Sequence, residues 1–153
     1  MTDCCAAPMG AGSARCPRTG TVGVPVPPVT LESLLQAEAQ GRRVAEEAHF
    51  FCAEPSCPIV YFTRQGATFS TQDLVVPVWQ KRPDDAETPV CYCFGHSLST
   101  MAEELAQTGR CTAQLDIASK VKAGLCDCER RNPQGRCCLG NVAIALRRLK
   151  GEG

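Results

Sequence analysis

Cysteine is the residue type that most restricts what this chain can fold into. The 153 residues include 12 cysteines, and the stretch "CDCERRNPQGRCCLGN" at 126–141 is the densest of the cysteine clusters. Aromatic residues make up only 5% of the sequence, so each small domain has a thin apolar core. A secreted chain of this kind would use disulfides, whereas in a reducing compartment the same density indicates metal or redox sites. The sequence therefore predicts domains that are stabilised by bound metal.

The remaining composition excludes several classes of partner. The formal net charge is zero, which gives no attraction to nucleic acid or to an anionic membrane. No apolar run is long enough to span a bilayer. The first residues, "MTDCCAAPMGAG", lack the basic start and apolar centre of a secretory signal, so we expect a cytoplasmic protein. Because there is no nucleotide-binding loop, hydrolase elbow or carboxylate pair placed for acid–base catalysis, we expect no enzymatic activity.

The apolar pattern predicts an α+β chain. Alternating valines after residue 21, and the runs "HFF" and "IVYF" on either side of a Cys-x4-Cys loop, indicate strands in the first half. Apolar residues at helical spacing indicate one short helix in the first half and three helices in the second. We predict a flexible segment at 1–15 and a strand-rich subdomain at 16–83. A linker at 84–88 then leads to a helical subdomain at 89–149.

Helix boundaries are predicted from capping residues. Thr30 precedes the first apolar stripe and is the expected N-cap of the short helix. In the second half, Ser97 or Ser99 and then Thr112 are the expected N-caps, and Gly109 is the expected end of the first long helix.

The first subdomain contains cysteines suited to zinc. Cys52 and Cys57 are separated by four residues, which is within the spacing of zinc-binding loops, and Cys16 is the expected third thiolate. Zinc is the expected metal, because thiolates favour it and a structural site needs no redox activity. The candidates for the fourth ligand are Cys4, Cys5 and, with less support, His49. We predict Cys5. The alternative is that Cys52 and Cys57 are small core residues.

The second subdomain contains the larger set. Two helices separate a Cys-x-Cys motif from the later cysteines, and an antiparallel helix pair would return the chain to its starting point. The thiols that could then converge are Cys91, Cys93, Cys126, Cys128, Cys137 and Cys138. Four thiolates bind an iron–sulfur cluster, and a helix N-terminus suits the negative charge of such a cluster. A tetrahedral zinc site built from the same thiols is the alternative.

Taken together, these motifs resemble a known family. The stretches "CPRTG", "FFCAEPSCPIVYF", "VWQKRPDD", "VCYCFG" and "CDCERRNPQGRCCLGN" are similar to the N-terminal domain of CopZ-type copper chaperones. The second half alone also resembles the bacterioferritin-associated ferredoxin domain. The resemblance covers roughly residues 16–148. It implies a small strand-rich zinc-binding subdomain followed by a helical 2Fe–2S-binding subdomain.

The resemblance also implies a set of cluster ligands. These are Cys91, Cys93, Cys138 and one cysteine of the Cys126/Cys128 pair. We predict Cys128, because its distance to "NPQGRCC" fits the family pattern, with Cys126 as the alternative. The chain departs from the family at Thr19, where the family often has a second cysteine in Cys-Pro-x-Cys. A complete four-cysteine zinc site therefore needs a thiolate from elsewhere.

The function that the resemblance implies is that of a metallochaperone-type protein. It would bind a 2Fe–2S cluster and Zn²⁺, and would transfer single electrons during the handling of copper or another soft metal. Its partners would be the metal ion and its carrier or export ATPase. The alternatives are a plain 2Fe–2S ferredoxin that serves an oxidoreductase or bacterioferritin, and a zinc interaction module without redox activity.

Overall fold

The structure, a computed structural model, describes residues 14–44, 46–82 and 84–151. A strand-rich region is followed by a helical region, which confirms the predicted α+β class. Cys4 and Cys5 lie outside the described residues. Within the described residues, no helix is both long enough and apolar enough to cross a bilayer.

The first half is built on a four-stranded antiparallel sheet. Its strands β1 (Val24–Val26), β2 (His49–Phe51), β3 (Ile59–Phe62) and β4 (Thr68–Ser70) pair in sequence order, which places β1 at one edge. Neighbouring residues of a strand point to opposite faces. Phe51 therefore packs with Tyr61 and Phe69 in one apolar cluster, while Phe50 packs with Phe62 in the cluster that contains Cys16, Cys52 and Cys57.

Two short helices follow the first strand. They are α1 (Pro28–Leu34) and α2 (Ala37–Gln40). The prediction that Thr30 caps this segment is wrong, because the helix begins earlier, with Pro27 as N-cap and Pro28 in the first turn. Proline favours that position, since its fixed φ suits a helix and its missing N–H would be unpaired there anyway. Thr30 is instead buried inside the helix, where its hydroxyl has a different role.

The second half combines a small hairpin with four helices. Strands β5 (Pro89–Cys91) and β6 (His96–Ser97) are antiparallel, and they are followed by α3 (Leu98–Thr108), α4 (Ala113–Lys122), α5 (Cys128–Arg131) and α6 (Leu139–Leu149). Ser97 caps α3 and Gly109 ends it with a left-handed φ of 77°, as predicted. Thr112 is at the N-cap position of α4, but its hydroxyl donates to Glu104 and makes no cap.

The two halves are packed against each other. Helix α1 contacts α5, and the Thr30 hydroxyl donates to the carbonyl of Glu129 at 2.6 Å. The buried hydroxyl of Tyr61, on the sheet, donates to the carbonyl of Pro133 at 2.6 Å. Both acceptors lie in the cysteine-rich segment of the second half. The sheet therefore supports the segment that carries the later cysteines.

Candidate metal centres

Three cysteines of the first half form a compact group of thiols. The sulfur atoms of Cys16, Cys52 and Cys57 all lie within 4.8 Å of one another, and each residue is at most 2% exposed. The Cys16 and Cys57 sulfurs are 3.8 Å apart. Tetrahedral Zn²⁺ with Zn–S bonds of about 2.3 Å requires ligand sulfurs that are about 3.8 Å apart. The donor set and its spacing therefore fit a zinc ion.

Two loops present these thiols. Cys52 and Cys57 flank the connection between β2 and β3, where Cys52 N–H donates to the carbonyl of Val60 at 2.9 Å and Cys57 N–H to that of Glu54 at 3.1 Å. Cys16 begins a tight turn in which its N–H donates to the carbonyl of Thr21 at 2.8 Å. The sheet holds both loops at one end, so that residues far apart in sequence converge.

The local hydrogen bonds act on the first thiol of the group. Burial alone would raise the pKa of Cys16, but backbone hydrogen bonds from Thr19 and Arg18 outweigh burial and lower its pKa to about 7. Burial raises the pKa of Cys57. Metal binding requires the thiolate form, and N–H groups aimed at sulfur favour that form. The turn that begins at Cys16 is therefore arranged to hold a thiolate.

Lys81 lies beside this group, and its position is not evident from spacing in the sequence. Its ammonium group donates to the carbonyl of Glu54 at 2.7 Å, within the Cys52–Cys57 loop. Burial lowers the pKa of Lys81, while the charges of the three thiols and a hydrogen bond to Cys52 oppose that decrease. A cation at this place offsets negative charge on the sulfurs. The motif "VWQKRPDD" was the one sequence signal that could have pointed to it.

Two further residues were considered for the first site, Thr19 and His49, and neither adds a ligand to the three thiols. Thr19 lies next to the thiols, with its hydroxyl 3.9 Å from the Cys52 sulfur. His49 is outside the thiol group, and its ring is tilted against that of Phe69, with ring centroids 5.9 Å apart. The reason is strand periodicity, since His49 and Cys52 have opposite parity and face opposite sides of the sheet. Cys5 lies outside the described residues, and its role as a ligand stays a prediction.

Four cysteines of the second half also come together. The sulfurs of Cys93 and Cys128 are 3.5 Å apart. Cys138 is hydrogen bonded to both Cys128 and Cys91, so that the four thiols form a continuous row in the order Cys91, Cys138, Cys128, Cys93. Cys91 and Cys128 are 37 positions apart in sequence. Helices α3 and α4 lie between them, as the prediction of an antiparallel helix pair requires.

Backbone N–H groups point at these sulfurs. The N–H of Asp127 donates to the Cys93 sulfur at 3.1 Å, and the backbone N–H groups of Phe94 and Cys93 bond to Cys91. A hydrogen bond from Cys138 is the largest cause of the lowered pKa of Cys91. The pKa values of Cys138 and Cys93 are instead raised, and the largest cause for each is its hydrogen bond with the Cys128 thiol. Cys138 is also the N-cap of the eleven-residue helix α6.

The arrangement of the four sulfurs differs from that of the first site. A single tetrahedral ion needs all its ligand sulfurs within about 4 Å of one another. In the described part of the chain, Cys91, Cys93, Cys128 and Cys138 do not form such a mutually close group, whereas Cys16, Cys52 and Cys57 do. A row of thiols joined in pairs suits a cluster with two metal atoms, since each iron takes two thiolates. These residues therefore fit a 2Fe–2S cluster.

The other cysteines of the second half border the apolar cluster that contains this row. Cys126 and Cys137 are half-buried and pack against the same core as the four thiols, and so does Cys111, which precedes α4. The structure joins Cys128, the predicted member of the Cys126/Cys128 pair, to both Cys93 and Cys138. Which cysteines bind the metal stays a prediction.

Comparison with known proteins supports the metal-binding character of the first half. Residues 13–75 match the model of a CopZ-type family described as a zinc binding domain. Among solved structures, the chain is similar to the N-terminal domain of Archaeoglobus fulgidus CopZ, determined by X-ray crystallography. The two are 27% identical with a TM-score of 0.68, and the match covers 86% of this chain and 96% of that one. No curated protein matches the sequence.

Proposed function

We propose that this chain is a zinc- and 2Fe–2S-binding protein of the metallochaperone type. It transfers single electrons in the cytoplasm during the handling of copper or another soft metal, and it is not an enzyme. The observation that carries the proposal is the row of four thiols, Cys91, Cys138, Cys128 and Cys93, in a fold that holds a separate three-thiol group. The likeness to the CopZ N-terminal domain extends over both halves.

In the first half, Cys16, Cys52 and Cys57 hold zinc. Their burial and the sheet that positions them indicate a site that stabilises the fold. Cys5 is the proposed fourth ligand from this chain. The 63 residues of the family match, 13–75, include all three thiols of the group and support this part of the proposal.

In the second half, Cys91, Cys93, Cys128 and Cys138 hold the cluster. When bound, the cluster supplies reversible one-electron transfer. The N–H groups of Asp127 and Phe94 donate to the ligand sulfurs, which stabilises negative charge and favours a higher reduction potential. The core residues Val90, Met101 and Val142 exclude water from one side of the site.

Copper is the metal that the resemblance favours. Soft thiolate ligands select cuprous ion, so a protein that serves such carriers gains from a one-electron donor that reduces cupric to cuprous ion. The electron leaves the reduced cluster and is accepted by Cu²⁺, which becomes Cu⁺. The proposed partners are the ion and its carrier or export ATPase.

Elemental analysis tests the cofactors directly. We expect protein purified without oxygen to contain about two iron and two acid-labile sulfide per chain, with visible charge-transfer bands, and about one zinc. Reduced protein should show the electron paramagnetic resonance signal of a 2Fe–2S cluster. A colourless protein with zinc as its sole metal would overturn the cluster and leave an interaction module without redox activity.

A matched pair of variants tests the ligand set. Cys128→Ser removes a thiol that contacts two others of the row, and we expect the visible bands and the iron to be lost. Cys126→Ser changes the neighbouring thiol and should retain the iron content of the unmodified chain. Loss of iron in Cys126→Ser with retention in Cys128→Ser would reverse the assignment.

Copper reduction separates the proposal from the plain ferredoxin. Anaerobic, pre-reduced protein mixed with Cu²⁺ and a cuprous chelator should give about one cuprous ion per cluster, because each cluster donates one electron. The Cys128→Ser variant is the control without a cluster. An intact cluster that leaves Cu²⁺ unreduced would favour a ferredoxin whose electron goes to another protein.

A further inference from the structure

A small cavity lies where the two halves of the chain meet. Its volume is about 210 Å³. Pockets that hold drug-sized ligands have volumes of roughly 300–1,000 Å³, so this cavity suits a single side chain better. Its lining comes from the Cys52–Cys57 loop, the short 3₁₀ helix Trp79–Lys81, the "NPQG" turn at 132–135 and α6. The cavity thus borders a thiol-bearing segment of each half.

Two hydrogen-bond donors of the lining have no acceptor. Trp79 is only 3% exposed, and its indole Nε1–H makes no hydrogen bond within the described part of the chain. The side-chain amide nitrogen of Gln80, the next residue, is also buried without a partner there. An unpaired buried donor destabilises a fold, and native proteins retain few of them. Both donors line the same cavity, which indicates that it receives an acceptor from outside.

The charge along the cavity is positive. The guanidinium carbon of Arg148, in the last turn of α6, lies 5.2 Å from the centre of the Trp79 ring. No acidic side chain is among the described residues that line the cavity, and none of the described carboxylates pairs with Arg148. Arginine and the indole N–H donate hydrogen bonds but cannot accept them. They therefore favour an acceptor that carries negative charge, such as a carboxylate.

The rest of the lining favours a peptide over a free anion. Ala53, Pro55 and Ile144 give the cavity an apolar side, and Ile144 is 38% exposed. Asn141 Nδ2 donates to Gln134 Oε1 at 2.6 Å, so the Gln134 amide N–H and the Asn141 carbonyl oxygen are available to a peptide group. A carboxylate on an apolar stem, next to a peptide group, is an aspartate or glutamate residue.

We propose that this cavity binds the side chain of an aspartate or glutamate in a peptide segment of a partner protein. The carboxylate accepts hydrogen bonds from Arg148 and the Trp79 indole, and its methylene stem packs on Ile144. A partner held in this way lies against the Cys52–Cys57 loop and the "NPQG" turn, so that one contact places it beside both groups of thiols. The proposal does not depend on which metals those thiols hold.

A peptide titration of the oxidised, metal-loaded chain tests the site. The probe is a capped pentapeptide with a central glutamate flanked by glycines, and its twin has glutamine in the centre. Trp79 is the one tryptophan of the sequence, so its indole N–H resonance reports on the cavity directly. We expect the glutamate peptide to shift this resonance saturably. In calorimetric titration the glutamine peptide should bind about tenfold more weakly, because it cannot form a charge-assisted pair with Arg148.

Variants then locate the carboxylate. Arg148→Met should weaken binding of the glutamate peptide by about tenfold and leave that of the glutamine peptide unchanged. Arg147→Met is the matched control, because Arg147 is the neighbouring exposed arginine of α6 and does not line the cavity. Trp79→Phe keeps an aromatic ring without the donor and should weaken binding by about threefold. Arg148 is exposed, so its replacement retains the fold and tests the site independently of Trp79.

Three results would overturn the proposal. They are equal binding of the two peptides, an indole resonance that the glutamate peptide does not move, and equal affinities for Arg148→Met and Arg147→Met. Inorganic phosphate is the remaining comparison. If it bound as tightly as the glutamate peptide at the same ionic strength, the cavity would be a general anion site and the assignment to an acidic peptide would be wrong.

Discussion

At the scale of single residues, the two thiol groups differ in how their sulfurs are stabilised. Cys91 and Cys93 receive hydrogen bonds from backbone N–H groups, including that of Asp127 at 3.1 Å. The first site adds a side-chain cation, Lys81, to backbone hydrogen bonds at Cys16. Backbone N–H donors are present whenever the turn has folded, whatever its side chains are. A side-chain cation, in contrast, can be removed by a single substitution. The first centre can therefore be tuned by mutation without rebuilding its loops.

Lys81 gives a prediction at this scale. Lys81→Met removes the cation that lies beside the three thiols, and we expect zinc affinity to fall by about 10- to 100-fold, as is typical when a partner of the metal ligands is lost. Lys81→Arg keeps the charge and should lose less. Affinity is measured by competition with a chromophoric chelator.

Lys122→Met is the matched control for that experiment, because Lys122 is an exposed residue at the end of α4. It should bind zinc as tightly as the unmodified chain. Equal affinities for Lys81→Met and the control would show that Lys81 has no part in metal binding.

At the scale of elements, the contact between α1 and the "NPQG" turn determines how the halves fit. Gly135 has a φ of 68°, and its N–H donates to the carbonyl of Asn132 at 2.7 Å. A Cβ atom at this position would lie 2.7 Å from both Pro27 Cδ and Thr30 Oγ1. The glycine is thus required twice, once by the backbone conformation and once by the neighbouring helix.

Gly135→Ala is therefore expected to lower the free energy of unfolding by about 3 kcal/mol, combining the cost of a left-handed φ with that of overpacking. Gly109→Ala is the matched comparison, since its φ is 77° but no atom lies within 4 Å of its added Cβ. That variant should lose only about 1 kcal/mol. Thermal unfolding of the metal-loaded proteins measures both, and equal losses would contradict a tight contact at Gly135.

At the scale of the whole molecule, we expect metal binding and folding to depend on each other. The thiol groups lie inside two of the three apolar clusters of the described residues, so the cysteines are themselves part of the cores. A thin core leaves little surplus stability, whereas a structural zinc contributes on the order of 10 kcal/mol in small domains. We therefore expect removal of metal to lower the free energy of unfolding by more than the surplus that the apolar cores provide.

We therefore expect the demetallated chain to be largely unfolded. Anaerobic chelation should abolish the cooperative thermal transition seen by circular dichroism, and restored zinc should recover the first half. The metal-loaded protein is the reference. A native-like cooperative transition in the chelated protein would show that the apolar clusters suffice without metal.

Much of the molecule follows from local sequence. Runs of apolar and aromatic residues predicted the strands on either side of the Cys52–Cys57 loop, and helical spacing with Ser97 and Gly109 predicted α3, because these signals act between residues near in sequence. The start of α1 was missed, since the prolines at 27 and 28 outweighed Thr30 as a cap signal. Thr30 is needed elsewhere, on the carbonyl of Glu129, a residue that local pattern cannot associate with it.

The sequence alone determined that the chain has two sets of cysteines, one in a strand-rich and one in a helical region, because the type and spacing of ligands are local properties. Tertiary structure alone decided which thiols touch, and placed Lys81 and the Thr19 hydroxyl beside the first set. It also turned His49 to the opposite face of the sheet. The reason is that strand pairing and helix packing bring together residues that are far apart in sequence, and local sequence pattern does not indicate such contacts.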